Sequence, residues 1–424
     1  MTQTLAEAPA GAWHPLARVL FRFALIYFLT YALAPELVWD PIIRGLGSAL
    51  DVTVRYRPNG SGDTTYNQLQ VLFGLGLALA ASLVWSLIDR RTAHPRLAEA
   101  LLIAARTYLA VMMLAYGFAK LIGSQFPAPG LELLVRPYGQ LSPKGLVWGF
   151  MGQSLAYQVF TGLLEFAAGL LLLWRRTTTV GALLTIAVMS NVVMLNYCFD
   201  IPVKLLSSHL LLLAVILVAR DGRRLVAALL GLAPTEAVGH QPLHFGDRKL
   251  HIVTRVLQSL TLLGLTGFLA QVGWQWHLES SLPPSPYYGI YEVEELREDG
   301  ELRPAVLADG ERWRWLVFEH PSVLTIIQLD GGSAYYLVEA DAAAGILTVH
   351  TSSGKPFDQF LLDPPAPAEV VEHRWQVDTS IPGRLRIEGE LEGKQLELAL
   401  RRVEAEFPLR SWGVHWINET PPSG

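Results

Sequence analysis

The chain predicts an α-helical transmembrane bundle of about seven spans followed by a C-terminal all-β barrel or sandwich, and three observations carry that prediction. First, 51% of its 424 residues are hydrophobic and 17% charged, with a mean hydropathy of +0.32, which is high for a soluble chain. Second, charge is divided: residues 1–280 carry 21 Lys+Arg against 14 Asp+Glu, whereas 281–424 carry 12 against 24. Third, the long apolar runs stop near 274, and short alternating segments take over from 288.

Seven stretches, near 18–36, 67–88, 99–121, 156–174, 179–198, 203–219 and 252–274, approach the roughly 20 apolar residues that cross about 30 Å of hydrocarbon. Trp39, Trp85, Trp148, Trp174, Trp274 and Trp276 stand near their ends as interfacial anchors. The connections after the second, fourth and sixth spans are rich in basic residues: Arg90, Arg91 and Arg96, then Arg175 and Arg176, then Arg220, Arg223, Arg224, Arg248 and Lys249. The positive-inside rule makes these loops cytoplasmic, the N-terminus cytoplasmic and the C-terminal domain extracytoplasmic in a multi-pass plasma (inner) membrane protein. Ala32-Leu33-Ala34 resembles a signal-peptide cleavage site, but Pro35 directly after it argues for a retained first helix. In the first outer loop, Asp63 or Thr64 is the expected N-cap of the second span. The second outer loop, 122–155, with Pro127, Pro129, Pro137 and Pro143, is expected to rest on or dip into the membrane interface. Four regions follow: a two-helix hairpin at 1–98, a four-helix domain at 99–221, a connector with the seventh helix at 222–284, and an extracytoplasmic β-rich domain at 285–424.

Composition also narrows function. A nucleic-acid partner is disfavoured, because the soluble domain has a net charge of −12 and no basic stretch adjoins it. With Cys198 as the single cysteine, an intramolecular disulfide, a CxxCH haem attachment and a cysteine-ligated iron–sulfur cluster are excluded. No nucleotide-binding motif and no metal site is evident, so redox chemistry would require a diffusible cofactor or a partner.

Ionisable residues at membrane depth supply the candidate site. Counting about 1.5 Å per residue, Arg106 lies ten residues past Arg96, Glu165 ten before Arg175, and His209 eleven before Arg220. All three are thereby expected some 15 Å deep and facing the bundle interior, where an unpaired charge costs on the order of 3 kcal/mol or more. Helical spacing places Arg106, Met113, Gly117 and Lys120 on one face, and Gln158, Gly162, Glu165 and Gly169 on another, with glycines permitting close approach. Lys120, Asn191, Asn196, Asp200 and Lys204 are expected to line an outer funnel. The competing structural reading is that Arg106 and Glu165 merely neutralise each other and fix helix register.

Residues 100–220 resemble the DoxX-like family of four-helix membrane proteins. The resemblance rests on Arg106 with Gly117-Phe118-Ala119-Lys120, Glu165 with Ala168-Gly169-Leu170, Arg175-Arg176-Thr177-Thr178 before Gly181-Ala182-Leu183, and a helix containing His209. Tyr116, Gln125-Phe126-Pro127, Asn191-Val192-Val193-Met194 and Ile201-Pro202-Val203-Lys204 are similar to a longer bacterial subgroup. The resemblance covers about 120 residues and implies a four-helix core. It also implies a link to quinone-dependent oxidoreductase complexes, since the family takes its name from a membrane subunit of thiosulfate:quinone oxidoreductase, and it singles out Arg106, Lys120 and Glu165.

The C-terminal region reads as about nine strands, at 288–296, 312–319, 323–329, 334–338, 346–351, 359–362, 370–377, 384–391 and 395–403, separated by turns such as Asp330-Gly331-Gly332 and Glu392-Gly393. A lipocalin-like up-and-down barrel is the first expectation, with Trp313, Trp315, Trp375 and the 412–419 tail as core and lid. Ser411 and His415 lack nucleophile-elbow spacing, so a hydrolase is not expected. Three functions remain. The first is a redox-linked accessory subunit that binds a quinone or lipid-like ligand at Arg106, Glu165 and His209, with membrane lipids or a redox protein as partners. The second is a non-enzymatic receptor or scaffold acting through the outer β-domain on a lipid or protein. The third is a proton-coupled transporter.

Overall fold

The computed structural model describes residues 13–32, 36–54, 62–232, 248–306, 309–351 and 371–411, with the backbone alone at 36–38, 248–259 and 279. The expected strand at 359–362 and the aromatic tail lie outside the described residues. Two compact units form, one from 1–124 with 157–273 and the other from 125–156 with 274–424. In chain order the helices are α1 Pro15–Ala32, α2 Glu36–Ala49, α3 Thr65–Ile88, α4 Pro95–Leu121, α5 Leu131–Val135, α6 Pro143–Gln153, α7 Leu155–Leu173, α8 Thr178–Cys198, α9 Lys204–Ala219, α10 Gly222–Leu229, α11 Arg248–Ser280 and α12 Pro408–Ser411.

The first unit is the helical bundle. Among the described residues, α1, α3, α4, α7 and α8 are each long and apolar enough to cross a membrane, and α9 with α10 makes a sixth candidate bent by 74°. The seventh expected span falls within α11, part of which has no described side chains. Thr64 caps α3 in a capping box, accepting from the Asn67 N–H while the Asn67 side chain accepts from the Thr64 N–H. Asp63 serves a different helix: its carboxylate accepts from the Lys204 and Leu205 N–H groups at 2.7 and 2.9 Å, closing the start of α9. The expected glycine packing is present. A Cβ on Gly117 of α4 would lie 2.6 Å from the Phe166 backbone nitrogen of α7, so only glycine allows that approach. Leu109, Ala110, Met113, Ala168, Leu172, Ala182 and Leu210 fill the seam among α4, α7, α8 and α9.

The second unit is an antiparallel barrel. Its strands are β1 Gly289–Glu298, β2 Glu301–Leu302, β3 Trp313–Phe318, β4 Val323–Gln328, β5 Ser333–Asp341, β6 Ile346–Thr351, β7 Val371–Asp378, β8 Arg384–Leu391 and β9 Lys394–Arg402. Each main strand pairs with the next, and β1 pairs with β9 as well as β3, so eight strands close into an up-and-down barrel with β2 as a short flap on β1. Closure removes the open edge that would otherwise recruit another chain. Alternation is strict on β9, where Leu396, Leu398 and Leu400 point inward between exposed Glu397 and Arg401. Trp375, 1% exposed, fills the interior over Gly389 of β8, where a Cβ would lie 2.3 Å from the indole. Its Nε1–H donates to the Glu390 carbonyl at 3.0 Å.

The segment expected to rest at the membrane interface packs on this barrel. Leu131, Leu134 and Val135 of α5 cover Ile290, Val317 and Ile327 on the outer wall of β1, β3 and β4. Glu319 accepts from the Leu131 N–H at 2.8 Å, Glu132 accepts from the Tyr335 hydroxyl at 2.7 Å, and Arg136 donates to Ser333 and to Glu132. Burial and the Glu132 charge push the Tyr335 phenol above its ordinary range.

Candidate functional site

The sequence-predicted residues Glu165, His209 and Arg106 sit in three separate polar centres of the bundle. The first is a buried ion pair. Lys120 of α4 donates to Glu165 of α7 at 2.6 Å, with side chains 8% and 3% exposed, beside the Gly117–Gly162 approach. The small residues bring the backbones together, and the pair occupies the space this leaves.

The second centre joins α1 to α9. His209 Nδ1 lies 2.6 Å from the Leu205 carbonyl, which fixes its proton there, and Nε2 then accepts from the Tyr27 hydroxyl at 2.7 Å. The Tyr31 ring stacks on the imidazole with centroids 3.9 Å apart. A histidine held by two tyrosines in a largely apolar bundle can exchange a hydrogen bond with a polar ring substituent.

Arg106 belongs to a third centre. Its guanidinium donates to the Thr178 hydroxyl at 3.3 Å, at the first residue of α8. Around it Glu99 pairs with Arg175 at 2.8 Å and Arg220 at 3.0 Å, and Asp221 accepts from the Thr179 hydroxyl at 2.6 Å.

Arg106, Glu165 and His209 therefore do not share a site, which corrects the reading from depth alone. Arg96 does not mark the level of Arg175, because α4 has 27 residues and overshoots the neighbouring helices. Eleven residues, about 16 Å, separate Pro95 from Arg106, and Arg106 nevertheless meets the end of α8. Lys120 is a further fourteen residues, about 21 Å, along α4, so the Glu165 bonded to it lies far from Arg106. Glu165 faces α4, whereas His209 faces α1.

The proposed funnel residues are likewise divided. Lys120 is committed to Glu165. Lys204 pairs with Asp200 at 2.6 Å and Asp63 at 3.9 Å, and Asn196 donates to Ser207 at 2.9 Å, all at the α8–α9 turn. Asn191 is exposed. The tight turn through Asp200, at φ 50°, folds these polar groups onto their own helix ends.

One network escaped sequence reasoning. Arg22 of α1, 2% exposed, donates to Ser86 at 2.9 Å and to the Asp89 carbonyl at 3.2 Å, contacts His94 Nε2 at 3.1 Å, and lies over the Trp85 ring. Because Arg22 can only donate, His94 Nε2 must accept, which requires a neutral imidazole. Burial, reinforced by Arg22, Arg91 and Arg18 and opposed by Asp89, holds His94 below its ordinary pKa. The available signal was an arginine eight residues into the first apolar helix, the second after Arg18.

Among the described residues, the barrel's inward side chains, from Leu296 and Leu316 to Trp375, form one apolar cluster. A groove of about 310 Å³ instead runs outside β7, β8, β9 and β1, bordered by Glu294, Arg297, Asp378, Arg384, Arg386, Glu388 and Glu397. Among the described residues no group of histidines, cysteines and acids is arranged to hold a metal.

No family model matches the chain, and no solved structure does. Over 121 residues, 28% of its length, it is 36% identical to an uncharacterized protein, YwoB, of Bacillus subtilis (strain 168), and the match covers 75% of that protein. At that identity and coverage the chain belongs to the same family as the Bacillus subtilis protein.

Proposed function

We propose that the protein is a non-enzymatic, membrane-anchored scaffold whose extracytoplasmic barrel recognises a protein partner through its outer wall. The observation that carries this reading is the filled barrel interior, where Leu316, Leu324, Leu347 and Val349 are fully buried and Trp375 is 1% exposed. Such packing supports recognition through the outer wall, where the polar groove on β7, β8, β9 and β1 supplies charges of both signs for a polypeptide. The separate partners of Arg106, Glu165 and His209 support this reading over one that needs a single shared intramembrane site.

The test places a photo-crosslinking residue at Ser380, on the groove, and at Leu337 of β5 in the full-length protein in native membranes. The expected result is a discrete protein adduct from position 380 alone, abolished by Glu397→Arg. Equal adducts from both positions, or none, overturn the reading.

A second reading is favoured by the stack of Tyr31 on His209 with the Tyr27 hydroxyl bonded to Nε2. It makes the bundle a DoxX-like, redox-linked subunit that holds a quinone or lipid-like molecule beside His209. A quinone retained by the purified protein and lost in His209→Leu would support it in place of the scaffold.

A further inference from the structure

We propose that the arginine-rich end of the bundle is a binding site for a phosphate group, seated between Arg106 and the start of α8. A void of about 40 Å³ lies there, bordered by Glu99, Arg106, Arg175, Thr178, Arg220 and Asp221. That is room for about three water molecules, or for one tetrahedral anion in their place.

The chemistry of the lining selects an anion. Three guanidinium groups face two carboxylates, and the carboxylates are already engaged: Glu99 holds Arg175 and Arg220, while Asp221 takes the Thr179 hydroxyl and lies 3.8 Å from Arg224. Arg106 is left over. It is 9% exposed, its Nε has no partner, and its bond to Thr178 is long at 3.3 Å. A guanidinium carries five N–H donors, so a buried one used this sparingly has unmet donor capacity, and its side chain borders the void. The start of α8 adds to it. No side chain caps that helix, because the Thr177 hydroxyl donates backward to the Leu171 carbonyl at 2.6 Å. Its free N–H groups and the positive end of the helix dipole therefore face the same region as Arg106.

Phosphate suits this arrangement better than a carboxylate, since its tetrahedral oxygens can meet a guanidinium fork and helix-end N–H groups at once. The two rim arginines, Arg175 and Arg220, border the same void and are held by Glu99. The anion is a phosphate ester of a lipid headgroup or free inorganic phosphate, and the two sources share this chemistry.

The experiment uses the full-length protein. Native mass spectrometry of protein extracted from its membrane reports retained phospholipid. Thermal-shift titrations of delipidated protein with inorganic phosphate, and separately with phosphatidylglycerol or phosphatidylcholine micelles, report affinity. Arg106→Gln should weaken binding about tenfold or more, as loss of a charged hydrogen-bond donor does, and Arg106→Lys should fall between. Loss of retained anionic lipid without a response to inorganic phosphate assigns a headgroup, and the converse assigns free phosphate. Should Arg106→Gln fail to fold, Arg175→Gln, at the more exposed rim, should still weaken binding severalfold. Absence of binding by the unaltered protein to either source, or unchanged affinity in the variants, overturns the proposal.

Discussion

Replacing Glu165 by Gln leaves the Lys120 ammonium without its partner in a place that water reaches poorly. At 2.6 Å the pair gains about 6 kcal/mol of attraction if the effective dielectric is about 20. Both side chains lost their hydration to reach that position, being 8% and 3% exposed, so most of the attraction is offset in the intact protein. Removing one partner forfeits the attraction and keeps the desolvation of the other, which costs about 3–5 kcal/mol. Removing both, as Lys120→Met with Glu165→Gln, strands no charge and should lie within about 1.5 kcal/mol of the unaltered protein. Thermal unfolding of the four proteins in one detergent, read as a double-mutant cycle, isolates the coupling. The reasoning fails if Glu165→Gln is as stable as the parent, or if the double replacement is no better than the single one. A stable double replacement that also keeps its in vivo phenotype assigns the pair to helix registration.

Three further outcomes follow from the geometry. Because folding holds His94 below its ordinary value of about 6.5, the unfolded chain binds more protons just beneath that pH; stability should be full above it and fall as pH drops through that window. His94→Gln, which keeps an acceptor for Arg22, should flatten melting temperature between about pH 5 and 7, and an unchanged slope would assign the effect elsewhere. Gly117→Leu should destabilise the bundle by about 1–3 kcal/mol, since even a Cβ would lie 2.6 Å from the Phe166 nitrogen, and unfolding in detergent that is unaltered would deny the α4–α7 contact. Residues 285–424 expressed without 125–156 should form the barrel yet self-associate, because Ile290, Val317 and Ile327 lose their cover; light scattering that falls when 125–153 is fused back confirms it, and a monomeric fragment refutes it.

Much of this fold was legible because hydrophobic spacing reports burial directly. The runs at 67–88, 99–121, 156–174 and 179–198 became α3, α4, α7 and α8, and eight of the nine expected strands coincide with β1 and β3–β9. Gly117, Gly162 and Glu165 were legible as a shared face for the same reason. Partner identity was not, because a helical face fixes direction and leaves axial level to loop length. The chain from Arg91 to Arg106 runs well past the end of α8, and no residue in it announces the overshoot. Lys120 stands one residue from the end of α4, a position that reads as part of an outer funnel, whereas its long side chain reaches back to Glu165. Arg22 and His94 come from separate segments 72 positions apart, and only the fold juxtaposes them.

The barrel strands carry a further signal that a binary pattern hides. On β8 and β9 apolar and charged residues alternate, as they do when one face is solvated, whereas Trp315-Leu316-Val317-Phe318 and Leu324-Thr325-Ile326-Ile327 have lost their exposed positions. Apolar residues on both faces of neighbouring strands mean that something covers the outer wall, and α5 is that cover. The outer surface thus has two chemically different sides. On β1, β3 and β4 it is apolar and occupied by the chain's own segment. On β7, β8 and β9 it presents Arg384, Arg386, Glu388 and Glu397, with an open groove. The mixed charge of this second wall is the feature on which the proposed scaffold reading rests, since charges of both signs suit a polar, folded protein better than a lipid tail.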